Sequence, residues 1–84
     1  MKRRELTEKI EQAYKMVISV GGRMFRIVRD EDDVLTITER NHKESEKHYT
    51  DTRDLISRYR IDGKPLRDYI DRITIVKYVA LLDA

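Results

Sequence analysis

The chain has no cysteine and no tryptophan, one proline, three glycines and one phenylalanine among 84 residues. Without cysteine there is neither a disulfide framework nor a thiolate metal site. No apolar run approaches the ~20 residues that cross a bilayer as a helix. No apolar stretch follows the basic start, so a cleaved secretory signal is not expected. Catalytic signatures are also missing. The only serines are Ser19, Ser45 and Ser57, and none sits in a Gly-x-Ser-x-Gly elbow. Gly21-Gly22 is followed by neither Gly-Lys-Ser/Thr nor a Gly-x-Gly-x-x-Gly pattern, which excludes a phosphate loop. At this size one domain over residues 1–84 is expected, soluble, cytoplasmic and without membrane contact. It has little room for a pocket of ~300–1,000 Å³.

Charge is abundant. Lys and Arg number 18 against 16 Asp and Glu, a net +2 at 40% charged residues. An average chain has about 25%. The near-neutral total hides polarity along the chain. Residues 1–29 carry eight bases and three acids, residues 30–39 carry five acids and no base, and the remainder ten bases and eight acids.

Periodicity sets the expected elements. Leu6, Ile10, Ala13 and Val17 recur at helical spacing, which predicts a helix from about Arg3 to Met16. Arg4–Glu8, Glu5–Lys9 and Glu11–Lys15 are i,i+4 pairs on its outer face. A strand-rich stretch follows, Val17 to Arg29, with Gly21-Gly22 as a bulge, bend or close backbone approach. A second strand, about Val34 to Arg40, pairs with it across the Asp30-Glu31-Asp32-Asp33 turn. Burial favours Ile27 opposite Leu35 and Phe25 opposite Ile37, with Met24, Arg26, Val28, Val34, Thr36 and Thr38 on the other face. Asn41 to Tyr49 is expected to be a polar loop, with a short edge strand at Lys47 to Thr50. Thr50 or Asp51 should cap a short helix to about Arg58, with Leu55, Ile56 and Tyr59 inward. Ile61 to Pro65 is a turn, and Pro65 to Asp71 a second short helix. The β-branched run Ile73 to Val79 reads as a strand, with one long helix over Pro65–Leu82 as its rival.

The fold expected is α+β: an N-terminal helix and two short helices on one face of an antiparallel sheet of three or four strands. Its core comprises Leu6, Ile10, Ala13, Val17, Phe25, Ile27, Leu35, Ile37, Leu55, Ile56, Ile61, Leu66, Ile70, Ile73, Ile75 and Val79. Arg53–Arg58 and Arg67–Arg72 echo one another at four of six positions, too short for a repeat architecture.

Two clusters have metal-ligand chemistry. His42, Glu44, Glu46 and His48 alternate, so an extended chain points all four to one side. Residues i and i+2 lie ~6.6 Å apart in a strand, so only neighbours share an ion. The acidic turn at Asp30–Asp33 lacks the EF-hand pattern. No metal and no cofactor is expected at either.

The remaining candidates are binding residues. Arg23, Arg26 and Arg29 on the first hairpin strand make a cationic patch if they converge. Eleven arginines against seven lysines favour forked recognition. Asp30, Asp32 and Asp33 form an acidic tip for a basic partner. Tyr59 and Tyr69 lie near arginines in sequence, and Tyr and Arg dominate interface hot spots. The expected function is a non-enzymatic interaction protein that binds and modulates a protein partner as regulator, inhibitor or accessory subunit. A small, charged, motif-poor chain fits a phage or mobile-element origin by analogy of composition. The alternative is a nucleic-acid-binding regulator using the bases of the helix and first strand. Its acids nearly match its bases at a pI of about 9.0, which disfavours that alternative. A homodimer through an exposed strand edge is compatible with either.

Overall fold

The computed structural model describes residues 1–84. Helix α1, Arg3–Gln12, runs directly into strand β1, Ala13–Val20. Strands β2 (Arg23–Arg29), β3 (Leu35–Glu39) and β4 (His42–Tyr49) continue the meander. Helix α2 (Thr52–Arg58) follows, then a two-stranded ribbon of β5 (Arg60–Ile61) and β6 (Lys64–Pro65). A 3-10 helix at Leu66–Arg72 leads into β7, Ile73–Ala80, and a last 3-10 turn spans Leu81–Asp83. The main sheet has the order β4-β3-β2-β1-β7 and is antiparallel throughout.

The mixed α+β class matches expectation, but the sheet has five strands where three or four were expected. Three differences account for this, the first being that Gly21-Gly22 is a hairpin turn dividing Val17–Arg29 into two strands and not a bulge or bend within one. The helix ends at Gln12 rather than Met16, so Ala13–Val20 is a strand. The stripe Leu6, Ile10, Ala13, Val17 competes with the alternation Met16, Ile18, Val20. The alternation wins, because it buries three large side chains on the sheet face and leaves Val17 on the other. The polar segment His42–Tyr49 is likewise a full edge strand, not a loop. Backbone pairing with β3 holds it, and an edge strand tolerates charge.

Local chemistry explains the turns. Val20 pairs with Arg23, leaving a two-residue loop of Gly21 (φ 56°) and Gly22 (φ 85°). Two consecutive positive φ values are what a type I′ hairpin turn requires, and glycine supplies them without strain. The β2–β3 loop is tighter than expected. The Asp30 amide donates to the Val34 carbonyl at 3.0 Å, and Asp33 adopts φ 62°. The Asp30 carboxylate accepts from the amides of Asp32 and Val34 at 2.8 and 3.0 Å. This three-residue loop shifts the register by two, pairing Ile27 with Ile37 and Phe25 with Glu39. A two-residue shift preserves side-chain faces, so the expected division between faces survives.

Asp51 caps α2 by accepting from the Arg53 amide at 2.7 Å. The C-terminal segment is a 3-10 helix plus β7, and the long-helix alternative is not formed. The two helices and the 3-10 helix cover one sheet face, burying Leu6, Ile10, Leu55, Ile56 and Leu66 against Met16, Ile18, Phe25, Ile27, Leu35 and Ile37. Tyr59 closes the core with its ring edge-on to Phe25 at 6.1 Å. Of the expected core, Val17 and Val79 fall instead on the opposite face, and Ile70 and Ile75 are half-buried at its margin. No helix is long and apolar enough to cross a membrane.

Candidate functional site

With helices on one side only, the other face of the five-stranded sheet is open. Pairing places its side chains in rows. Lys77, Val17, Arg26 and Thr38 form one row across β7, β1, β2 and β3. Val79, Lys15, Val28, Thr36 and His48 form the next, extended onto β4. Diagonal neighbours on such a face are ~7–8 Å apart, so Lys15, Arg26 and Lys77 form one cationic cluster. Arg40 and Lys43 extend it at the β3–β4 turn. Together these five line an open depression of about 850 Å³, whose floor includes Val17 and Met24.

None of these five cations is in an ion pair. The acids nearby are occupied elsewhere. Glu46 accepts from the Thr38 hydroxyl at 3.3 Å and lies 3.5 Å from His48 Nε2. Glu39 is gripped by Arg23 through two hydrogen bonds of 2.8 Å. Hydrogen bonding from Arg23 holds the Glu39 carboxyl below its ordinary pKa. The depression therefore carries an excess of positive charge, five cations against Glu46 and the Arg23-paired Glu39. Ligand pockets for small molecules are mostly apolar and enclosing. This depression is polar and wide, with only three apolar residues in its lining. It has the character of a docking surface.

The condition for a three-arginine patch, convergence of Arg23, Arg26 and Arg29, is not met. Residues 23 and 29 share one face of β2 and residue 26 points to the other, as a period of two dictates. Arg23 bridges Glu39 and Asp62, the latter at 2.8 Å, and pins the β5–β6 ribbon to the sheet. Arg29 is turned beneath the end of α1, where it donates to the carbonyls of Ile10, Glu11 and Ala13. Only Arg26 is free. Asp30 is committed to its own turn, Asp33 lies 3.5 Å from Arg29, and Asp32 is exposed at the tip. Tyr59 is buried, and burial pushes its phenol pKa up. Tyr69 donates to the Ile61 carbonyl at 2.6 Å. The two tyrosines therefore form no shared surface with the nearby arginines.

The alternating quartet on β4 divides into two pairs. His42 Nδ1 lies 3.0 Å from Glu44 and His48 Nε2 lies 3.5 Å from Glu46. No group of three or more His, Asp or Glu side chains is placed to hold a metal ion. Lys15 and Lys77 are absent from the sequence-predicted site because the helical stripe takes Lys15 into α1, and the Ile73–Val79 pattern does not show that Lys77 lies beside β1. The signal was present in the alternation of Lys15, Val17 and Ser19 with Met16, Ile18 and Val20. No protein-family model, curated protein or solved structure matches the chain.

Proposed function

We propose that this protein is a non-enzymatic, cytoplasmic interaction module that docks its open sheet face onto an acidic surface of a protein partner and modulates it. The observation that carries this is the cluster of Lys15, Arg26 and Lys77, none of them ion-paired, set among Val17, Met24 and Val28. Aliphatic side chains interleaved with cations suit a protein interface, where an apolar centre excludes water and charge sets orientation. Five strands at ~4.8 Å and about six residues of each give a face of roughly 480 Å². That is a large part of the ~800 Å² per partner of a standard interface.

Nucleic acid is the weaker alternative for this face. Single strands are held by aromatic stacking platforms, and here Phe25 is buried in the core while Tyr14 lies at the margin of the face. Duplex major grooves admit a helix or a two-stranded ribbon, not a broad sheet.

The test is affinity capture from a nuclease-treated lysate of the source cells, comparing the native chain with Lys15→Glu/Arg26→Glu. A specific protein retained by the native chain and lost by the variant is the expected result. Capture unaffected by charge reversal overturns the proposal. So does oligonucleotide binding that collapses between ~50 and ~200 mM salt, the signature of phosphate contacts.

A further inference from the structure

We infer that the β7 edge of the sheet pairs with β7 of a second copy of this chain, joining two five-stranded sheets into one of ten. The two edges of the sheet differ in kind. On β4 the charged residues Lys43, Glu44, Glu46 and Lys47 sit between His42 and His48, and charge on an edge discourages further pairing. On β7 the sequence Ile-Thr-Ile-Val-Lys-Tyr-Val-Ala carries one charge, Lys77. Four of the five large apolar side chains left exposed lie on β7 or next to it in the chain or sheet. Val76 is 53% exposed, Leu81 44%, Leu82 98%, and Tyr14 on the adjoining strand 43%. An edge with a single charge and unpaired amides and carbonyls is a template for another strand.

Self-complementarity selects a second copy as the occupant. Antiparallel pairing of a strand with itself about a two-fold axis is isologous, so one row of donors and acceptors meets its own match. A register with Tyr78 opposite its counterpart places Lys77 across from Val79 of the second copy. It leaves the irregularity at Val76 at the end of the paired stretch. A register centred on Lys77 would oppose two like charges directly and is disfavoured. The paired stretch Val76–Ala80 is ~16 Å long, and Leu81 and Leu82 extend the contact beyond it. So short a pairing is smaller than a standard interface, and a dissociation constant of ~10–100 µM is expected. The two-fold axis lies normal to the sheet, so both open faces point the same way. This pairing does not depend on the function proposed for that face.

Sedimentation of the full chain from ~1 to ~500 µM tests it. The mass should rise from 10.1 kDa toward twice that value. Val76→Lys should weaken dimerisation at least ~10-fold, because a charge is placed on the pairing edge. Lys47→Glu on β4 should leave it unchanged. A monomer at the highest concentration overturns the proposal, as does a dimer insensitive to Val76→Lys but weakened by Lys47→Glu. Hydrogen exchange on the native chain keeps the test open should the variant unfold. β7 amides that gain protection with concentration support the pairing, and β7 amides whose protection is independent of concentration refute it.

Discussion

Arg29 offers a sharp quantitative test, because it acts as a cap supplied from a distant strand. Helix α1 ends without glycine, asparagine or proline, the usual local devices. Its last carbonyls receive the Arg29 guanidinium instead: Nη2 donates to Ile10 at 2.9 Å and Glu11 at 3.3 Å, and Nε to Ala13 at 3.1 Å. The side chain is only 11% exposed. Hydrogen bonds from a charged group contribute about 1.5–3 kcal/mol each, and a cation at a helix C-terminus ~0.3–2 kcal/mol. The three bonds share one side chain and water can replace part of them, so Arg29→Ala should cost about 2–4 kcal/mol. Against a total of ~4–13 kcal/mol for a domain of this size, that is a large fraction. At ~4–8 °C per kcal/mol, Tm should fall by roughly 8–32 °C. Arg26→Ala, three residues away on the open face, should stay within ~0.5 kcal/mol. Thermal and urea unfolding of both variants decide the matter. A loss below ~4 °C for Arg29→Ala, or equal losses for the two, would refute the division of the arginines between faces.

Two further outcomes follow from the turns and the ion pairs. The folded pKa of Glu39 lies below its unfolded value, so its pairing stabilises fully above about pH 4.3 and is lost as pH falls through the folded value. The urea midpoint should drop between about pH 5 and pH 3, and Glu39→Gln should flatten that slope; an unchanged slope would show that the Arg23 pair contributes nothing. Gly22→Ala should cost ~1–2 kcal/mol through its positive φ alone, because a Cβ there meets nothing within 4 Å. Gly21→Asn should be tolerated, since asparagine accepts this conformation; equal losses in urea unfolding would contradict that account.

Much of the fold was legible in local pattern. The α2 cap at Asp51, the inward Leu55, Ile56 and Tyr59, and the strand at Ile73–Val79 all carry short-range signals. The α1–β1 junction does not. Ala13 fits both the helical stripe and the strand, and what ends the helix is a guanidinium sixteen residues further along the chain. Strand β4 was illegible for a related reason: its polarity suits a loop, and only pairing with β3 makes it extended. The open face inherits these two errors. Lys15 belongs to it only once Ala13–Val20 is a strand, whereas Arg26, Val28, Thr36 and Thr38 were grouped correctly from alternation alone.

The central claim is that the open sheet face, and not the helical layer, meets a protein partner. Site-specific photocrosslinking tests it most directly, with a benzophenone side chain at Val17, in the middle of the face, or at Glu8, exposed on α1. In native lysate the Val17 probe should yield a discrete protein adduct that persists after nuclease treatment, and the Glu8 probe none. An adduct from Glu8 alone, or a Val17 adduct that nuclease removes, would contradict the account.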